Sequence, residues 1–187
     1  MNLNAVWMYC ILMLMIGNFA RGSGCKWMHP RDEGAQSKFK EVSYHCIQLL
    51  EQMGDAVTQR ISNPQTLNRL YEHTTNLQAG ERIIFIHEAV NSIQELYING
   101  KHDGVTWNPK KLQKFQVNLD RQASELQQCI RKLKSRASHP SSYKKIKTYF
   151  KRLLLESKNY STSDWEAVRA EVLIHLRRLD IIGSVEQ

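Results

Sequence analysis

An all-α bundle of about five to six helices is what this sequence predicts, and three observations predict it. Apolar side chains recur at spacings of three and four through most of the chain, the period of one face of an α-helix. Glycine, Asn–Pro and Ser-His-Pro-Ser breakers fall between these stripes. No stretch shows the apolar–polar alternation of a half-buried strand. The first stripe is linked to the later ones by a long segment, which suits up-up-down-down topology with a long crossover.

The first helix is expected over 35–53. Phe39, Val42, Cys46, Leu49 and Met53 form its stripe, and Gly54 ends it. Asn63-Pro64 opens a short second helix carrying Leu67, Leu70 and Tyr71, expected to end near Gly80. The third, 81–98, carries Ile83, Ile86, Val90, Ile93 and Tyr97 and stops at Asn99-Gly100. Asn108-Pro109 opens the fourth, with Leu112, Phe115, Leu119, Leu126, Ile130 and Leu133 on one face; Ser138-His139-Pro140-Ser141 breaks it. The fifth sets Tyr143, Ile146, Phe150, Leu153 and Leu154 against a basic side with Lys144, Lys145, Lys147, Lys151 and Arg152. Ser163-Asp-Trp-Glu166 has the S-x-x-E spacing of a capping box and is expected to start the last helix. That helix is apolar on two sides, Trp165, Val168, Val172, Leu176 and Leu179 against Ala167, Ala170 and Ile174, which predicts a central position.

The chain has 187 residues, enough for a leader and one domain with a sizeable core. Val6–Ile16 is an uncharged apolar run too short to span a bilayer and suited to the core of a signal peptide. Small residues follow, and cleavage after Gly24 is expected. The division is therefore a signal peptide over 1–24 and one helical domain over 25–187, destined for secretion. Net charge is +8. Only Arg21 is charged among the first 24 residues, so the remainder has 25 basic and 18 acidic side chains, a net +7. Such a surface attracts nucleic acid, sulfated glycans or an acidic receptor without choosing among them. Loss of the leader removes Cys10. Cys25, Cys46 and Cys129 remain, and in an oxidising compartment three cysteines suggest one bridge and one leftover thiol. Cys46 lies on the first stripe, as a small buried hydrophobe or as half of an intermolecular bridge.

Motifs for catalysis are missing. His87-Glu88 begins like a zinc-protease helix, but Asn91 stands where the second histidine belongs. There is no G-x-S-x-G, Walker A or G-x-G-x-x-G sequence. No enzyme, cofactor or metal is expected. The basic side of the fifth helix is a solvated face or a partner contact. It lacks the interleaved aromatics of a nucleic-acid site, because Phe150 is on the core stripe. Asn159-Tyr-Ser161 is an N-glycosylation sequon if the chain is secreted.

Several segments, in order, carry a resemblance. Tyr160-Ser-Thr-Ser-Asp-Trp165-Glu-Ala-Val-Arg169-Ala-Glu171-Val and Tyr149-Phe-Lys-Arg-Leu resemble the C-terminal part of type I interferons. Cys25-Lys-Trp-Met, Val105-Thr-Trp-Asn108 and Leu179-Asp-Ile-Ile-Gly-Ser resemble fish members of that family, and Leu49-Leu-Glu-Gln-Met53 fits it too. Many members hold a second disulfide. Here Ser163 and Asp164 precede Trp165 and no cysteine lies in 54–63, so the chain resembles the two-cysteine subgroup.

The resemblance implies the interferon-like helical cytokine bundle with a Cys25–Cys129 bridge. A secreted monomer is expected, with no membrane insertion, since nothing after the leader could span a bilayer, and no nucleic-acid binding. The partners the resemblance implies are two different class II cytokine receptor chains, leading to Janus kinase signalling and antiviral gene expression; the basic side of the fifth helix adds sulfated glycans as a further expected partner. Arg169, four residues after Trp165, matches a basic receptor-contacting position, and Arg60 falls where relatives use an arginine. On a helical wheel Arg169 is roughly 60° from the centre of the stripe, so a structural ion pair competes with receptor contact. Rival readings are an interleukin-10-like cytokine, which lacks the capped Trp-Glu-x-x-Arg segment, and a cationic membrane-active protein, whose stripes would face lipid rather than each other.

Overall fold

The computed structural model describes residues 25–30, 32, 34–55, 64–133 and 141–184. Six α-helices lie among them: α1 (Lys38–Gln52), α2 (Pro64–Tyr71), α3 (Ala79–Asn99), α4 (Pro109–Leu133), α5 (Ser141–Glu156) and α6 (Thr162–Ser184). Short 3-10 turns follow α2 and α5 at Thr74–Asn76 and Ser157–Asn159. The described residues include no strand.

Helix starts follow local capping chemistry. Ser37 caps α1, its hydroxyl accepting from the Lys40 amide at 3.2 Å. Asn108 Oδ1 accepts from the Lys110 and Lys111 amides, both at 3.1 Å, while Pro109 takes the first helical position, where no amide is needed. At α6 the box begins two residues earlier than the spacing Ser163–Glu166 predicts. The Asp164 amide donates to Ser161 Oγ at 3.3 Å, and Asp164 Oδ2 accepts from the Ser161 amide at 2.8 Å. Glu166 is unavailable for that role because its carboxylate is engaged inside the protein by Trp107 and Arg169. Nor does α2 reach Gly80. It ends at Tyr71, and Gly80 sits in the first turn of α3, where the Gln78 amide donates to Glu81.

The stripes meet in one core. α1 packs on α4 and α6, and α3 packs on α4, α5 and α6. The central place expected for α6 is thus shared with α3, whose Ile83, Ile84, Phe85 and Ile86 are buried in succession, all round the helix. Leu50, rather than Leu49, is the fully buried member of the α1 stripe. Cys25 and Cys129 are joined by a disulfide with 5.1 Å between their Cα atoms. It ties the N-terminal segment to α4, where Trp27 is buried under Arg121 and its carbonyl accepts from the Phe39 amide at 3.0 Å. No helix among the described residues is long and apolar enough to cross a membrane.

Candidate functional site

The last carbonyls of a helix have no intrahelical donor, and α1 ends with five nearby oxygens to satisfy. Other elements supply the donors. Arg169 Nη1 donates to Leu50 O at 2.8 Å and Glu51 O at 3.3 Å, and its Nη2 donates to Asp55 O. Lys111 Nζ donates to Gln52 O at 3.0 Å, and the Asn108 amide to Met53 O at 2.7 Å. Two cations at the negative end of α1 also complement its dipole.

Arg169 is itself held. Its side chain is 0% exposed, and Nη2 lies 2.6 Å from Glu166 Oε2, one turn back on α6. The other oxygen of Glu166 accepts from Trp107 Nε1 at 2.5 Å. One chain of polar contacts therefore runs Trp107–Glu166–Arg169 to the end of α1. Beneath it Tyr97, Trp107 and Trp165 pack together, with ring centroids 5.7 to 6.3 Å apart. Two glycines make this packing possible. A Cβ at Gly54 would lie 2.8 Å from Trp107, and one at Gly100 would overlap the Trp165 ring.

This geometry gives Arg169 the structural ion pair that the sequence set beside receptor contact. Its donors are turned inward, and five backbone and carboxylate contacts converge on it. Arg60 lies outside the described residues, in the segment that follows Asp55. Asn159 is exposed at the end of the Ser157–Asn159 turn. Tyr160 packs on Trp165, and Ser161, the third residue of the sequon, caps α6. Cys46 is fully buried and unpaired; burial pushes its thiol up to about 12, although Gln122 Nε2 donates to Sγ at 3.4 Å.

A second buried polar group escaped sequence reasoning. His175 of α6 is 0% exposed, and its Nδ1 is hydrogen-bonded to Tyr71 OH at 2.7 Å. Burial, and secondarily Arg178, hold its pKa down at about 3. Beside it Tyr149 OH donates to Glu171, which is also buried. No spacing rule marks these residues, because Tyr71 and His175 are 104 positions apart. The Glu166–Arg169 pair did have a signal, the i,i+3 spacing of opposite charges. Among the described residues no group of three metal-ligating side chains gathers.

Residues 35–182 match the family model of the interferon alpha/beta domain. The chain belongs to the type I interferon family. This interferon is similar to interferon a3 of Oncorhynchus mykiss, 30% identical over 94% of each chain. It is 31% identical to interferon alpha-F of Bos taurus over 53% of this chain and 55% of that one. The solved structure of zebrafish interferon 1 superposes with a TM-score of 0.69 at 25% identity, covering 86% of this chain and 98% of the other. The interferon-like helical cytokine fold is thereby shown. The family match begins before α1 and ends within the last turns of α6, so the Arg169 clamp lies inside it.

Proposed function

We propose that this interferon is secreted after loss of residues 1–24 and acts as a monomer on two different class II cytokine receptor chains. Bringing them together activates Janus kinases and induces antiviral genes. The observation that carries this reading is the family match together with end-to-end similarity to a trout interferon. Catalysis and cofactors have no part in it, and the interleukin-10-like and membrane-active alternatives give way to the family.

The clamp gives the reading a physical form. A receptor chain gains affinity from a surface that is already ordered, since ordering costs are then not paid on binding. Arg169 holds the Leu50, Glu51 and Asp55 carbonyls, the last of them just before the segment that contains Arg60. In this proposal Arg60 meets the receptor and Arg169 positions it. Asn159 carries an N-linked glycan.

Adding folded protein to competent fish cells should induce antiviral transcripts, and a line lacking the receptor chains should stay silent. Induction in both lines, or in neither, overturns the proposal.

A further inference from the structure

α2 and α5 flank an open groove of about 420 Å3 whose rim is cationic. Arg69 of α2 faces Lys144, Lys145 and Arg152 of α5 across it. Of these only Arg152 has a carboxylate partner among the described residues, Glu156 at 3.7 Å; Arg69, Lys144 and Lys145 are exposed and have none among them. The contrast with the next turn is informative. Lys147 points the other way and pairs with Glu88 at 3.0 Å, and Arg177 of α6 pairs with Glu51 at 2.5 Å. Three of the four cations lining the groove thus have no carboxylate partner among the described residues. Self-repulsion of such a cluster is relieved by a bound polyanion.

The floor narrows the class of polyanion. Leu70 and Tyr149 are buried, and the Tyr149 ring is covered by Arg152 at 6.0 Å. No open aromatic face remains for a base to stack on, which disfavours single-stranded nucleic acid. The large exposed hydrophobics, Tyr44, Ile98, Val117, Leu155 and Ile181, do not line the groove, so it lacks the apolar anchor on which protein hot spots are built. What remains accessible is cationic heads, their methylene stems and the Thr148 hydroxyl. That surface suits a hydrophilic chain bearing closely spaced sulfates.

We propose that the α2–α5 groove binds a sulfated polysaccharide through Arg69, Lys144, Lys145 and Arg152. The proposal rests on the extracellular destination given above. It concerns a face distinct from the Arg169 clamp, so glycan and receptor binding are separable.

The test uses the mature, disulfide-bonded protein and a size-defined heparin dodecasaccharide. Affinity is measured at several salt concentrations for wild type, for Arg69→Ala/Lys144→Ala/Lys145→Ala, and for Lys101→Ala/Lys114→Ala/Lys132→Ala, which removes equal charge elsewhere. The groove triple should bind about tenfold more weakly or worse, and its slope of log affinity against log salt should fall by roughly two to three, one per cation removed. The control triple should lose about twofold or less. Equal losses would mean attraction by net charge alone and overturn the site. So would unchanged heparin affinity with weakened receptor binding, which assigns the groove to an acidic protein. Tighter binding of a single-stranded oligonucleotide of matched charge would overturn the glycan assignment. In cells lacking sulfated glycans the groove triple should signal as wild type does. A protein that binds heparin through the groove yet induces nothing would sink the proposed function and leave this inference standing.

Discussion

Arg169 of α6 donates a hydrogen bond of 2.8 Å to the Leu50 carbonyl of α1, joining residues 119 positions apart. A guanidinium can reach three carbonyls and a carboxylate at once because its donors lie in a planar fork. An ammonium at the same place cannot, so the type of cation matters as much as its charge.

Replacing Arg169 with Ala should lower stability by about 3 to 5 kcal/mol, the usual effect of breaking a buried pair and stranding its partner. For a domain of this size that is a drop in Tm of roughly 10 °C. Binding to the receptor chain that uses 56–63 should fall with it. Arg169→Lys should recover part of the stability but little of the affinity. Thermal unfolding and receptor titration on both variants check this. An Ala variant with unchanged Tm and weakened binding would show instead that the side chain swings out to touch the receptor.

Cys25→Ser should destabilise the protein by about 4 to 5 kcal/mol in the chain-entropy model, given a sequence separation of 104. Non-reducing peptide mapping of wild type should yield a Cys25–Cys129 pair. Native Cys46 should resist alkylation until the protein unfolds, because a buried thiol raised to about 12 forms almost no thiolate at neutral pH. A Cys46-containing disulfide peptide would overturn the assignment.

Acid should weaken the fold through His175. Its folded pKa is depressed to about 3 from an ordinary 6.5, so below pH 6.5 the unfolded chain takes up a proton that the folded one refuses. Stability then falls with pH, by about 1.4 kcal/mol per unit while pH lies between the two values. Tyr71, Tyr149 and Phe150 pack around the ring with Arg178 nearby, Glu171 is reached through Tyr149, and Nε2 has no protein partner among the described residues to accept a second N–H. Between pH 6.5 and 4.5 the loss from this group is about 2 to 3 kcal/mol. His175→Asn keeps a polar atom near Nδ1 but does not titrate. Denaturant midpoints for the two proteins should converge in acid. Parallel acid slopes would show that His175 is not held neutral.

Secreted protein should begin at Cys25 by N-terminal sequencing and carry a glycan at Asn159, removed by peptide-N-glycosidase. Retention of Val6–Ile16 would signify a membrane anchor instead. Asn159→Gln should abolish the mass shift without changing the Tm by more than about 1 °C, since surface changes are usually within ±0.5 kcal/mol.

The helices were legible because each stripe is local. Phe115, Leu119 and Leu126 share a face through the 3.6-residue turn alone, and all three are fully buried. Asn108-Pro109 announced α4 by the same local chemistry. The start of α6 was misplaced where a local rule met a distant competitor. Ser163 and Glu166 have the spacing of a capping box, but Trp107 and Arg169 claim the carboxylate, and Ser161 with Asp164 caps instead.

By itself the sequence determined the number and faces of the helices, the one class of bundle they can share and, through ordered matches along its length, the family. Periodicity needs no partner, so it survives in one dimension. Tertiary structure alone decided which polar side chains go inside. For Arg169 the i,i+3 spacing from Glu166 hinted at an ion pair, but nothing around His175 separates it from the exposed Arg177. Their decisive partners, the Leu50 and Asp55 carbonyls and the Tyr71 hydroxyl, are more than 100 residues away, and burial of a polar group is stable only where such partners converge.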